Sequence, residues 1–234
     1  SRNGVLCSLI YNTNIINMAS LEDLQKYCKG KTIIIVGNSS SLLNSNNRKL
    51  IDNYDIVVRI NRGYQYKRQL FDEHIGSKTD ILSMGVKTGV YAANIIQGNS
   101  VNYILSPIIY SDRLNYPNVY EVDELTYNSL KQFLGNTKPS TGISTYNFFN
   151  RFIDFMRLDL IGFDFFESSA MHRNQLGHIK VKDHNGSKES AFFESSHDPT
   201  KTILHKLKGN MSLPNNIPTH TQANQFFFKN NKRR

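Results

Sequence analysis

Along the chain, uninterrupted apolar runs alternate with segments whose apolar residues recur every three or four positions, and this alternation predicts strands separated by helices. Thr32-Ile-Ile-Ile-Val-Gly37 is β-branched with no polar interruption, the pattern of a strand covered on both faces. Tyr54–Ile60 repeats it after the polar Asp52 and Asn53, and Leu158–Phe163 is a third such run. Asp80–Met84 and Val101–Ser106 are weaker strands, the second ending at Pro107. A first helix is predicted over Ser20–Cys28, with Ser20 as N-cap and Glu22 and Asp23 in its first turn. Others are predicted around Ser83–Gln97, over Glu124–Leu134 with a stop at Gly135, and over Ser140–Met156. In the last of these, Ile143, Tyr146, Phe149, Ile153 and Met156 form one apolar stripe.

Strands alternating with helices imply an α/β fold: a single Rossmann-like domain with a mostly parallel central sheet flanked by helices. Such sheets bind ligands in the loops beyond the carboxyl ends of their strands, here Gly37–Ser41, Asn61–Gly63 and the loop after Phe163. Residues 1–30 read as an adapter with one helix, 31–210 as the main domain, and 211–234 as a polar, basic tail ending Lys229-Asn-Asn-Lys-Arg-Arg234.

Charge narrows the range of partners. The chain carries 28 Lys and Arg against 19 Asp and Glu, a net +9, which calls for an anion: nucleic acid, phospholipid headgroups or a phosphate-bearing substrate. Two cysteines, Cys7 and Cys28, build no disulfide framework and no zinc site, so a reducing compartment is the expectation. No stretch approaches the roughly 18 apolar residues of a membrane-spanning helix. A start at Ser1 without methionine is the expectation for a piece excised from a longer protein.

Three segments carry candidate chemistry. Val36-Gly37-Asn38-Ser39-Ser40-Ser41 follows a buried strand, where a glycine permits a tight turn and the next amides can hold phosphate. It is neither GxGxxG nor GxxxxGK[ST], and read alone it is an ordinary strand-to-helix turn. Lys138-Pro139-Ser140-Thr141-Gly142 precedes an amphipathic helix and reads both as a capped helix start and as an anion cradle. His197-Asp198-Pro199 offers a histidine able to take a proton from a hydroxyl near neutral pH. The plainer reading of that segment is a surface histidine at a helix start. His172, His178, His184, His197 and His205 are interleaved with Lys180, Lys182 and Lys188, a flexible basic loop rather than a metal cluster. The chain also contains no Asp-x-Asp and no GxSxG.

Taken in order, these segments resemble the sialyltransferase family that includes the animal enzymes, glycosyltransferase family 29. Its long motif is similar to Val36-Gly37-Asn38-Ser39, Arg59-Ile60-Asn61 and Gly76-Ser77-Lys78-Thr79. Its short motif is similar to Pro139–Gly142 followed by Leu160-Ile161-Gly162-Phe163, and its final histidine motif to His197-Asp198. The resemblance covers residues 31 to 205. It implies transfer of a sialic acid-type sugar from a CMP-activated donor to a glycan or glycolipid acceptor, with no metal and no cofactor beyond the donor substrate. Gly37, Asn38, Ser39 and Asn61 would then contact the nucleotide, and Ser140, Thr141 and Gly142 the phosphate or the donor carboxylate. His197 would be the general base, and His172 would protonate the leaving phosphate.

The sequence departs from the family in two places. The stretches that a disulfide joins in the animal enzymes lack cysteine here, at Ile33–Ile35 and Ile153–Arg157. That favours a microbial or viral cytoplasmic enzyme, with peripheral membrane association allowed by the charge, over one of the Golgi lumen. The glutamate that usually follows the final histidine is replaced by the Lys201-Thr202 region. A CMP-Kdo or other nucleotide-sugar transferase, or a degenerate nucleotide-binding module, are the alternatives. A nucleic-acid-binding domain ranks behind them because no stacking aromatic motif interleaves the basic residues.

Overall fold

A computed structural model of the chain describes residues 18–61, 71–85, 101–107, 118–167 and 184–207. Seven parallel strands form one sheet: β1 Thr32–Val36, β2 Ile56–Ile60, β3 Ile81–Ser83, β4 Tyr103–Ser106, β5 Val119–Glu121, β6 Arg157–Ile161 and β7 Thr202–His205. Their order is β5-β4-β3-β2-β1-β6-β7. The chain thus builds outward from β1 to β5, then returns to lay β6 against the other side of β1. The place where the direction of winding reverses is where an open α/β sheet opens a crevice.

The expected mostly parallel sheet is therefore present, and its central strands are the three that read as continuous apolar runs. β1 pairs with β2 through Ile34↔Val57 and with β6 through Ile34↔Asp159. Alternate residues face two separate cores. Ile33, Ile35, Ile56, Val58, Leu158 and Leu160 face one layer, built from α1 (Leu21–Cys28), α4 (Glu124–Phe133), α5 (Thr141–Phe152) and α6 (Gly186–Ser196). Ile34, Val36, Val57 and Ile161 face the other, with Leu42 and Leu43 of a 3-10 turn, Ile51 of α2 (Arg48–Asp52) and Ile75 of α3 (Asp72–Ile75).

The caps follow the sequence. Ser20 and Asp23 form a reciprocal capping box on α1, and Asp123 and Ser140 cap α4 and α5 through the amides of Thr126 and Ile143. Each such cap is worth about 1 kcal/mol. Helix α5 ends at Phe152 rather than Met156, which is exposed, because Ile153 turns extended toward β6. Cys28 is fully buried, and burial pushes its thiol up to about 12, which makes it an inert core residue.

Among the described residues two charged side chains are buried in the second core, each held by several hydrogen bonds. The Asp159 carboxylate accepts from Arg157, from the hydroxyl of Tyr54 and from His205 Nε2 at 2.7 Å. Burial would raise its pKa, but these bonds bring it down to about 2. Arg59 donates to the carbonyls of Ile75, Gly76 and Lys78 and to Thr79 Oγ1, at 2.8 to 3.0 Å. Asp52 takes the amides of Ser77 and Lys78 and the Ser77 hydroxyl. The Gly76-Ser77-Lys78-Thr79 segment is thereby a structural anchor beneath the sheet.

Residues 86–97 of the helix expected around Ser83–Gln97 lie outside the described residues, as do Cys7, Gly63, His172 and the 211–234 tail. Ser83 itself ends β3. Among the described residues no helix is long and apolar enough to cross a membrane.

Candidate active site

At the carboxyl edge of the central strands, the loop after β1 meets the turn after β6 backbone to backbone. Gly37 N donates to Ile161 O at 2.8 Å and Ser39 N to Gly162 O at 3.1 Å. A Cβ on Gly37 would lie 2.2 Å from Gly162 O, so only glycine permits this approach. Ser39 Oγ donates to Asp164 Oδ2 at 2.8 Å and accepts from Ser41 N at 3.1 Å. Asn38 Nδ2 donates to Ile60 O at 3.2 Å, and its Oδ1 is buried with no hydrogen-bond partner among the described residues. A buried acceptor left in this condition is costly unless a ligand's donor meets it.

The end of β2 joins the same edge. Asn61 sits at φ +47, a conformation asparagine tolerates, and this turns its side chain across the edge. Nδ2 donates to Thr141 Oγ1 at 3.0 Å and Oδ1 accepts from Gly85 N at 2.6 Å, so one side chain links β2, the segment after β3 and the start of α5. There Ser140 Oγ caps Ile143 N, while the amides of Thr141 and Gly142 have no intrahelical partner by the geometry of a helix start. The Phe163 ring approaches Gly142 so closely that a Cβ would lie 2.7 Å from it. Gly37, Asn38, Ser39, Asn61, Ser140, Thr141 and Gly142 are thus brought together, through direct bonds and contacts, on one rim.

The N-terminus of α5 holds a residue that the sequence reading passed over. Glu189 of α6, 3% exposed, accepts from Ser140 N at 2.8 Å and Ser140 Oγ at 2.7 Å. Burial raises its carboxyl to about 7 even though both bonds pull the other way.

His197 is not on this rim. It is the C-cap of α6, at the end of a helix rather than the start of one, with Nδ1 donating to Phe193 O at 3.0 Å and its ring stacked on Phe193 at 4.7 Å. The adjacent Ser196 carbonyl accepts from Asn150 Nδ2 at 3.1 Å. Asn150 lies ten residues into α5 from its cap, roughly 15 Å along the axis at 1.5 Å per residue. Asp198–Lys201 then turns directly into the start of β7. His197 therefore stands at the amino edge of the sheet, across the molecule from the residues it was expected to join.

The other end of α6 carries His184, immediately before the N-cap Asn185. Its Nδ1 donates to Lys138 O at 2.8 Å, two residues before Ser140. That bond puts a proton on Nδ1, the orientation in which a neutral imidazole takes a proton at Nε2. The Phe166 ring stacks on the imidazole at 5.5 Å and 8°. The sequence alone suggests a flexible basic loop around His184. The available signal was local: Asn185 as a cap on Lys188 N, with Glu189 in the first turn, marks a helix start right after this histidine.

Comparison with known proteins agrees with the fold and the motifs. Residues 6–172 match the family model described as glycosyltransferase family 29 (sialyltransferase). His184, Glu189 and His197 lie beyond the matched span. A crystal structure of a mammalian sialyltransferase superposes with a TM-score of 0.52 at 19% identity, covering 82% of this chain and 74% of that one. A structure of a mammalian sialyltransferase in complex with Gal-beta-1-3GalNAc-ortho-nitrophenol superposes at 0.51, again at 19% identity, covering 82% of this chain and 75% of that one. A beta-1,6-galactosyltransferase of Arabidopsis thaliana is 47% identical over 47 residues, 20% of this chain and 11% of the plant protein.

Proposed function

The chain belongs to glycosyltransferase family 29, and we propose that it transfers an acidic sugar of the sialic acid type from a CMP-activated donor to a glycan or glycolipid hydroxyl, without a metal, with His184 as the base. The observation that carries this reading is the bond from His184 Nδ1 to Lys138 O, which ties a correctly protonated imidazole to the mouth of the Ser140–Gly142 helix start.

The chemistry divides between the two sides of that mouth. Asn38, with its partnerless Oδ1, and Asn61 would bind the nucleotide, and the amides of Thr141 and Gly142 would hold the phosphate at the positive end of α5. As the bond from the anomeric carbon to the phosphate oxygen breaks, negative charge builds on that phosphate, where fixed amide dipoles stabilise it. The acceptor oxygen bonds to the anomeric carbon, and its proton passes to His184 Nε2. His184 and Glu189 also supply the histidine followed shortly by a glutamate that the Lys201-Thr202 region lacks. The absence of an Asp-x-Asp pair supports a reaction without a divalent ion, and the net +9 suits a donor bearing both phosphate and carboxylate.

The purified chain, assayed for nucleotide release and transfer with a galactosyl glycan acceptor, tests this reading. His184→Ala lowers kcat by about 10²- to 10⁴-fold, the range for a lost general base, while CMP binding persists. His197→Ala leaves kcat at the wild-type level. The reverse pattern would return the base to His197. A second reading, transfer of a galactosyl group, is favoured by the short match to the plant galactosyltransferase. A donor screen of CMP-sialic acid, CMP-Kdo and nucleotide-activated galactose separates them, because only the accepted donor releases its nucleotide at a catalytic rate.

A further inference from the structure

Five non-glycine residues among those described have positive φ: Asn61, Asn118, Asn136, Phe165 and Phe166. Asparagine adopts this region through its short polar side chain, but two consecutive phenylalanines, at +50° and +71°, do so only where the surroundings hold them. The surroundings do so from both sides. Asp164 Oδ1 accepts from Phe166 N at 3.2 Å, and Asp164 O accepts from Glu167 N at 3.0 Å, closing the turn. The turn is also docked on the first residue of α6, where a Cβ on Gly186 would lie 1.8 Å from Phe165 O. Held in this way, Phe165 packs inward against Phe193. Phe166 is left 41% exposed, with its ring parallel to the His184 imidazole.

We propose that Phe166 is a positioning residue for the base: the strained Phe165-Phe166 turn presents a flat ring that fixes the plane of the His184 imidazole. This rests on the reading of His184 as the base. The Nδ1 bond holds one edge of the imidazole, and a ring stacked on it at 8° sets the plane in which it lies. Asp164 extends the arrangement to the donor side, because its Oδ2 accepts from Ser39 Oγ in the loop after β1. One carboxylate therefore connects the loop expected to hold the nucleotide with the aromatic that sets the base. Two steps that must coincide, donor binding and proton removal, share a rigid link.

The test uses the full chain with Phe166→Leu, Phe166→Tyr and His184→Ala, and reads steady-state kinetics, thermal unfolding and the nitrogen NMR of the His184 ring. Phe166→Leu is expected to lower kcat by about tenfold with donor KM and Tm nearly unchanged, a loss within the range ascribed to misplaced catalytic groups. The His184 signal should move from a single Nδ1-protonated tautomer toward a mixture. Phe166→Tyr keeps a flat ring and should restore both. Wild-type kcat and an unchanged tautomer in Phe166→Leu would overturn the proposal, as would equal damage from Leu and Tyr. If His184→Ala keeps full activity, the base assignment fails, yet the NMR signal still reports whether Phe166 orients the ring.

Discussion

Helix α6 carries a histidine just outside each end, and the two have little in common beyond their chemistry. At the start, His184 is bonded to the Lys138 carbonyl beside the Ser140 cap, at the edge where three strands and α5 converge. At the end, His197 bonds back to its own helix and leads into β7 at the opposite edge. An eleven-residue helix spans roughly 16 Å, so which end a residue occupies decides whether it can reach a ligand held at the strand ends. The two edges differ in construction as well. The carboxyl edge is cross-tied by side chains from distant segments, Ser39 to Asp164, Asn61 to Thr141 and Ser140 to Glu189. The amino edge is tied differently, by bonds between the starts of neighbouring strands, Thr32 to Asp55 and Val57 N to Asp80 Oδ2, and by a bond between two helix ends, Asn150 Nδ2 to Ser196 O.

The glycines sharpen this contrast most. Gly37→Ala should destabilise the protein by about 3 kcal/mol or more, because its Cβ meets the backbone of Gly162, which has no side chain to move aside. Gly30, at the amino edge with φ +67 and nothing within 4 Å, should cost only about 1 kcal/mol as alanine, the backbone term alone. Equal losses in thermal unfolding would show that the carboxyl edge is not packed as described.

Glu189 gives the next effect, and it depends on pH. Its folded pKa near 7 stands above the ordinary 4.5, so burial costs nothing while the carboxyl is protonated in both states. The cost appears as pH rises above 4.5 and is complete above 7, reaching on the order of 3 kcal/mol. Wild-type urea midpoints should therefore fall between pH 4.5 and pH 8 relative to those of Glu189→Gln, and parallel curves would remove the assignment. The smallest effect belongs to the amino edge. Asn150→Ala removes the tie to Ser196 O and should cost about 1 kcal/mol while turnover stays unchanged. A drop in kcat would mean that the two edges communicate.

The central strands were legible because they are buried on both faces and so read as unbroken β-branched runs; α1, α4 and α5 were legible because each joins a capping side chain to apolar residues at helical spacing. Short edge strands were not. β5 and β7 are as short as β3 and β4, but at the two sheet edges each buries only one residue, so neither shows the apolar run that marks the other two. α6 was hidden for a different reason. Its sequence Gly-Ser-Lys-Glu-Ser-Ala-Phe-Phe-Glu-Ser-Ser buries only Glu189, Phe192 and Phe193, so no apolar stripe marks it. With that helix unseen, a His-Asp dipeptide was the available guide to the last motif, and a dipeptide says nothing about height along a helix axis. The residues of the long and short motifs were found because strand, glycine and cap coincide in sequence. His184 and Glu189 bond to that rim from the start of a helix whose partners lie some fifty residues earlier.

The strand order also sets a timetable for the nascent chain. β1 meets β2 soon after it is made, but its other neighbour waits, since residue 32 pairs with residue 157. At translation rates of about 5–20 residues per second, that interval is roughly 6 to 25 s. For all of it the most apolar strand of the protein offers an unpaired edge of Ile33, Ile34 and Ile35 to whatever is nearby, so this chain's yield in a cell depends on how well that edge is shielded until β6 emerges.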